Sequence, residues 1–183
     1  MDKIIGLGNA GCKIADCFAK YPQYKIYKLD CSPREGNKAG EYFHIPKQNS
    51  HEEYEKNHLS LDLFFKDISG EVLFILSGAG NISGSSLRIL ETLKKKNCSV
   101  NILYIKPDVS LLDDKSIKKD KIVFNILQEY ARSGLLKTIY LASNTELEKI
   151  LESVSVLTYY EKLNELLVST IHMLNVFERS KPI

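Results

Sequence analysis

The sequence predicts an α/β fold in three layers, with a mostly parallel β-sheet covered by helices on both faces. Short apolar runs alternate with segments of helical periodicity along the 183 residues, as in parallel strands joined by crossover helices. Glycine-rich turns follow two of these runs, where strand gives way to helix. The hydrophobic content of 44% is sufficient for one buried core, so we expect a single domain over residues 1–183.

Strands are expected where short apolar runs are bounded by turn residues. In chain order they are predicted at residues 3–7, 25–29, 42–45, 72–76, 101–105 and 138–142. Helices are expected between them, where apolar residues recur every three or four positions. They are predicted at residues 11–20, 50–66, 85–96, 118–133, 145–153 and 159–178. The irregular stretch 32–40 is interpreted as a surface loop.

The first glycine turn, residues 6–11 with the sequence GLGNAG, follows the first predicted strand and opens a helix. Glycine lets the backbone approach a ligand, and a helix N-terminus offers unpaired N–H groups and positive charge to an anion. Asp30 ends the second strand about 20 residues on, where a dinucleotide fold places its ribose-binding acid. This arrangement favours NAD. The alternative is that Gly6, Gly8 and Gly11 serve only the packing of helix on strand.

The second glycine turn, residues 77–86 with the sequence SGAGNISGSS, follows the strand predicted at 72–76. A dinucleotide fold has no need for a second loop of this kind. Two such turns converging on one polyphosphate would form a nucleotide pocket.

Residues 80–86, GNISGSS, resemble the signature GGGTGSG or GGGTGTG of tubulins and the bacterial division protein FtsZ. Gly80, Ser83 and Gly84 keep the character of the signature, while Asn81 and Ile82 depart from it, as does residue 86. The stretch 162–170, KLNELLVST, is similar to the tubulin stretch DLNHLVSAT. The resemblance covers essentially the whole chain and implies a tubulin/FtsZ GTPase-domain-like fold that ends at the central helix.

The resemblance also implies a set of nucleotide-binding residues. Two side-chain amides read the guanine edge in this family, since an amide presents a donor and an acceptor together. The expected ligand is GTP or GDP, with or without Mg²⁺, or none if the pocket is degenerate. The implied contacts are Gly8, Asn9, Ala10, Gly11 and Cys12 in the first turn, Gly78, Gly80, Asn81, Ser83, Gly84 and Ser85 in the second, Asp30 at the ribose, and Asn144 and Asn164 at the base.

Two observations bear on these assignments. Asn144 directly follows a strand, so it suits a helix N-cap as well as a base contact. Asn164 lies inside a helix, where asparagine is a poor helix former, and that favours a functional role. Tyr160 is a candidate to face the base ring.

The resemblance implies binding without turnover. In the tubulin and FtsZ family, hydrolysis uses acidic residues on a loop and second domain beyond the central helix, supplied to the neighbouring subunit's nucleotide. This sequence ends at Ile183, shortly after that helix. Phosphoryl transfer depends on a positioned base, and no catalytic residue is assigned here. The four cysteines lack metal-ligand spacing, so no metal site is expected and they are interpreted as reduced thiols.

The last predicted helix is apolar over a wider stripe than one sheet face would cover. Leu166, Met173, Val176 and Phe177 are expected to form an interface for self-association or for a protein partner. The alternative is that the end of the helix folds against the sheet edge.

The charge and the hydropathy of the sequence argue against nucleic acid and membrane as partners. The net charge of +2 implies no basic field for nucleic acid. No apolar run approaches the roughly 18 residues that a membrane span needs, so a cytoplasmic protein, or a virion component assembled in the cytoplasm, is expected. Three functions remain open: a minimal tubulin/FtsZ-like assembly subunit, a Rossmann-type NAD sensor, and a non-binding scaffold subunit of a larger assembly.

Overall fold

A computed structural model describes residues 1–33, 40–150 and 158–180 of the chain. Six parallel strands form one sheet in this part of the molecule, in the order β3-β2-β1-β4-β5-β6. The strands are β1 Lys3–Leu7, β2 Lys25–Asp30, β3 Glu41–His44, β4 Glu71–Leu76, β5 Ser99–Lys106 and β6 Thr138–Ser143. Each predicted strand is confirmed to within two residues at either end.

Six α-helices occupy the predicted intervals of the described residues. They are α1 Gly8–Phe18, α2 His51–Lys56, α3 Ser86–Lys95, α4 Asp114–Arg132, α5 Asn144–Ile150 and α6 Tyr159–Arg179. Short 3₁₀ turns at Asn81–Ser85 and Val109–Leu111 precede α3 and α4. Most of the predicted loop 32–40 and the end of the helix predicted at 145–153 lie outside the described residues.

The helix predicted at 50–66 is wrong beyond Lys56. The backbone of Asn57 leaves the helical conformation at ψ 123°, and an isolated turn follows. The apolar side chains of this stretch, Leu59, Leu61, Phe65 and Ile68, are buried in the core beneath the sheet. Packing of these side chains decides the conformation, because tertiary context overrides helix propensity.

The helix predicted at 118–133 begins earlier, at Asp114. The side chain of Asp113 accepts a hydrogen bond from the backbone N–H of Ser116 at 2.8 Å, which caps the first turn. This cap adds one turn of helix, and that turn reaches the carboxyl edge of the sheet.

The sheet is covered on both faces, which confirms the three-layer fold. On one face Tyr27, Phe74 and Tyr104 pack with α2, α3 and α4 in a single apolar cluster. On the other face Ile4 and Ile75 pack with α1 and α6 in a second cluster. The central strands β1, β4 and β5 are buried on both sides, which explains their continuous apolar runs.

The strand order reverses between β1 and β4. β1 pairs with β2 on one side and with β4 on the other, so the chain turns outward in opposite directions from this point. Open α/β sheets bind ligands in the crevice at the carboxyl ends of such strands. The two glycine turns follow β1 and β4, and they therefore flank this crevice.

Candidate functional site

In the first glycine turn, only part of the backbone faces the crevice. Gly8 has φ +69°, a conformation that favours glycine, and α1 begins there. An added Cβ on Gly6 would collide with the Gly11 carbonyl, and one on Gly11 would meet the Ile75 carbonyl. Gly6 and Gly11 therefore serve the packing of α1 on the sheet.

The second glycine turn is stabilised by buried contacts on the side that faces away from the crevice. The Ser83 hydroxyl is buried within 2.6 Å of the Gly80 carbonyl oxygen and 2.9 Å of the Gly78 carbonyl oxygen. Gly84 packs against the backbone of α2, where an added Cβ would collide with the His51 carbonyl. Ser85 is fully buried, and its Oγ has no hydrogen-bond partner in the described residues. These residues shape the turn and leave its outer part, from residue 79 to 82, facing the crevice.

A cavity of about 620 Å³, the large cavity, opens between the two turns. It is lined by residues of both turns, of the segments that follow β2 and β3, of α2 and of the start of α4. The lining residues are Leu7, Gly8, Asn9, Ala10, Asp30, Cys31, Ser32, Lys47, Gln48, Tyr54, Ser77, Ala79, Gly80, Asn81, Ile82, Ser116 and Lys119.

The charge of the large cavity suits an anion. Two lysines, Lys47 and Lys119, and one carboxylate, Asp30, are its charged lining residues. The Asp30 carboxylate accepts a hydrogen bond from the Cys31 backbone N–H at 2.8 Å. Burial raises the pKa of Tyr54, and a hydrogen bond with the Cys31 thiol acts in the same direction, so the phenol stays neutral. The balance is therefore positive at neutral pH.

A second cavity of about 250 Å³, the small cavity, adjoins the large one at Asn9 and Ala10, which line both. The half-buried amides of Asn144 and Asn164 line it from α5 and α6, and the exposed Tyr160 ring lies at its edge. Its remaining lining residues are Lys13, Ile14, Ile105, Leu163 and Leu167. The arrangement places two amides, one ring and an apolar wall next to a positively charged cavity.

Comparison with solved structures finds the same fold in two proteins from Haloferax volcanii. CetZ2, solved as a GTPγS-bound protofilament, aligns with a TM-score of 0.69 at 15% identity over 95% of this chain. CetZ1, solved as a GDP-bound monomer, aligns with a TM-score of 0.70 at 17% identity over 92% of this chain. The fold is tubulin/FtsZ-like. The chain spans 58% of the length of each CetZ protein.

A weaker likeness of fold is found to a dehydrogenase. A C-terminal deletion mutant of aldohexose dehydrogenase from Thermoplasma acidophilum aligns with a TM-score of 0.51 at 16% identity. That alignment covers 94% of this chain and 88% of the dehydrogenase. Comparison with family models and with curated protein sequences gives no match.

The tubulin/FtsZ-like fold brings part of the predicted site together. Of the predicted residues, Gly8, Asn9, Ala10, Asp30, Gly80 and Asn81 line the large cavity, and Asn9, Ala10, Asn144 and Asn164 line the small one. The others, Gly11, Cys12, Gly78, Ser83, Gly84 and Ser85, lie outside the lining of both cavities. Cys12, for example, is buried with its Sγ 3.3 Å from the Gly6 carbonyl oxygen.

Sequence reasoning missed the basic residues of the site. In the lysine run of α4, Lys119 is half-buried and donates to Asn81 Oδ1 at 2.8 Å. Helical spacing could have indicated that Ser116 and Lys119 face inward. Ser116 lies one turn before the buried Asp120, and Lys119 lies one turn before the buried Val123. Lys47 lies in a loop, where no periodic signal exists.

The described ranges support neither a metal site nor a membrane-spanning helix. No group of three or more His, Cys, Asp or Glu side chains there is placed to hold a metal ion. None of the helices in the same ranges has the length and apolar character that a bilayer crossing requires.

The exposed face of α6 changes character along the helix. Its first half presents charged side chains such as Lys162 and Glu165. Its second half presents Met173, Val176 and Phe177, which are 55%, 44% and 68% exposed. Leu166 is half-buried. We call Met173, Val176 and Phe177 the α6 patch.

Proposed function

We propose that this protein binds a guanine nucleotide across the two cavities and acts as a structural or assembly subunit rather than as a turnover enzyme. The observation that carries the proposal is the junction at Asn9 and Ala10, where a positively lined cavity meets a cavity with two side-chain amides. CetZ1 and CetZ2, which share the fold, were solved with GDP and GTPγS bound.

Each part of the nucleotide has residues suited to it. Backbone N–H groups at the start of α1 offer hydrogen bonds and a positive dipole end to phosphates, and Lys47 and Lys119 offer charge. The Asp30 carboxylate suits a ribose hydroxyl. The amides of Asn144 and Asn164 can each donate to and accept from a purine edge.

Substitution of Asn164 tests the base contact. Asn164→Ala should weaken GDP binding about tenfold or more by isothermal titration calorimetry, because a ligand polar group loses its partner. ADP and IDP, which change the hydrogen-bonding edge, should bind the unaltered protein more weakly than GDP. Asn125→Ala, at an exposed asparagine of α4, is the matched control and should leave the affinity unchanged. Equal affinity for GDP and ADP would contradict the guanine assignment.

A dinucleotide is the second candidate, and one observation favours it. Asp30 ends β2 almost fully buried and lines the large cavity, as a ribose-binding acid would. The fold-level likeness to a dehydrogenase agrees with it. Thermal stabilisation by NAD but not by GDP would favour this function, and stabilisation by neither would favour a scaffold without a ligand.

Assembly is the second part of the proposal. CetZ2 was solved as a protofilament, and the α6 patch offers apolar surface for contact with another protein. The proposal places this protein in the cytoplasm, as a self-associating subunit or as a component of a larger particle formed there.

A further inference from the structure

The space between the two glycine turns is crossed by the Ile82 side chain. Its Cγ2 methyl lies 2.9 Å from the point where a Cβ on Gly8 would stand, and 3.9 Å from the corresponding point on Gly80. Ile82 is half-buried and packs against the apolar core. The methyl group is therefore anchored from below and stands between the two backbones that would hold a phosphate.

A chain of polar contacts fixes the second turn in this position. Lys119 Nζ donates to Asn81 Oδ1 at 2.8 Å, and Asn81 Nδ2 donates to the Asn49 carbonyl oxygen at 3.1 Å. These bonds join α4, the second turn and the segment after β3. Asn81 is the neighbour of Ile82, so the same bonds hold the isoleucine in place.

The order of the cavities sets the direction of a bound nucleotide. When the base of a nucleotide lies in the small cavity, its phosphates extend past Asn9 and Ala10 into the large cavity. The outermost phosphate then lies towards the second glycine turn. That phosphate meets the Ile82 methyl, and a charged oxygen gains nothing from an apolar group at the place where it needs hydrogen-bond donors.

We infer that the site selects a nucleoside diphosphate over a triphosphate, with Ile82 as the residue that determines this specificity. The inference rests on the proposed nucleotide binding. Two phosphates have the N–H groups at the start of α1 and the nearby lysines as partners. A third phosphate has to displace a side chain that is packed into the core.

Two variants of Ile82 test the inference by calorimetric titration with GDP and GTP. The unaltered protein should bind GDP at least tenfold more tightly than GTP. Ile82→Ala removes Cγ2 and should bring the two affinities within about threefold of each other. Ile82→Val keeps Cγ2 and should retain the preference for GDP. Circular dichroism melts of both variants establish that they fold.

The outcomes separate the two proposals. Equal binding of GDP and GTP by the unaltered protein, or a GDP preference that survives in Ile82→Ala, overturns the selection and leaves nucleotide binding standing. Binding of neither nucleotide by the unaltered protein overturns both.

Discussion

At the scale of single residues, the glycines of the two turns fall into two groups that the sequence does not distinguish. Gly78 lies behind the second turn, where an added Cβ would collide with the Tyr104 hydroxyl. That hydroxyl donates to Asp120 Oδ1 at 2.7 Å in a buried site. Burial raises the pKa of Tyr104, and the Asp120 carboxylate raises it further, so the phenol remains a donor. Gly80, in contrast, faces the large cavity.

Gly78→Ala should therefore lower the free energy of unfolding by about 2–3 kcal/mol, because it displaces a buried hydrogen bond. Urea denaturation measures the change. Gly80→Ala is the matched control: its nearest contact would be Ile82 Cγ2 at 3.9 Å, and φ −79° suits alanine. Its effect should stay below about 1 kcal/mol. Similar losses in the two variants would contradict the distinction between packing and cavity glycines.

At the scale of secondary-structure elements, Glu71 at the start of β4 connects the N-terminus, β5 and the residue before β6 at the amino edge of the sheet. Its Oε1 accepts from Asn101 Nδ2 at 2.9 Å and from Lys137 Nζ at 2.6 Å, and its Oε2 lies 3.4 Å from the Met1 amino group. Burial opposes ionisation of Glu71, but the hydrogen bonds from Lys137 and Asn101 outweigh it and lower the pKa from 4.5 to about 2.

A carboxyl group whose pKa is lowered by folding stabilises the fold above its unfolded pKa. The contribution of Glu71 should be complete above pH 4.5 and be lost as the pH falls towards 2. Glu71→Gln should cost about 2 kcal/mol at pH 7, and the cost should shrink across this window. Urea denaturation at several pH values measures it. A cost independent of pH would contradict the ionic role. Glu91→Gln, in an exposed pair with Lys95, is the control and should have little effect.

The predicted helices show where local pattern fails. Helix α2 ends at Lys56 because Leu61 and Phe65 are buried beneath the sheet, although their spacing suits a helix. The strands were predictable to within two residues because a buried parallel strand is a short apolar run bounded by turn residues. Apolar residues at helical spacing, in contrast, can also be buried by an irregular segment, as residues 59–68 show.

At the scale of the whole molecule, the α6 patch is the surface with which we expect the protein to assemble. The double variant Met173→Glu and Val176→Glu should weaken self-association at least tenfold, because it places charge in an apolar contact. Sedimentation velocity over a range of concentrations measures it. The variant should melt as the unaltered protein does, since both side chains are exposed.

Lys162→Glu supplies a control with the same change in net charge. It lies on the exposed face of α6, about three turns before the patch, and should leave self-association unchanged. A concentration-independent monomer for the unaltered protein would contradict assembly through α6. So would equal effects of the control and the double variant.

The candidate site was predictable only where a local signal exists. The first glycine turn and the two asparagines carry such signals, in turn chemistry and in an unfavourable helix residue. Asn144 and Asn164 do line one cavity, next to Asn9. Helical spacing places Lys119 next to the buried stripe of α4, but its contact with Asn81 joins residues 38 positions apart, and no local pattern encodes such a contact.

The sequence by itself determined the alternation of strands and helices, the parallel sheet and the two glycine turns at strand ends. These depend on periodicity and turn chemistry, which are encoded within a few residues. Only the tertiary structure decided which glycines pack and which face a cavity, that Lys119 reaches the second turn, and that Ile82 stands against Gly8. Such contacts depend on how distant elements pack against one another, and no local pattern specifies that packing.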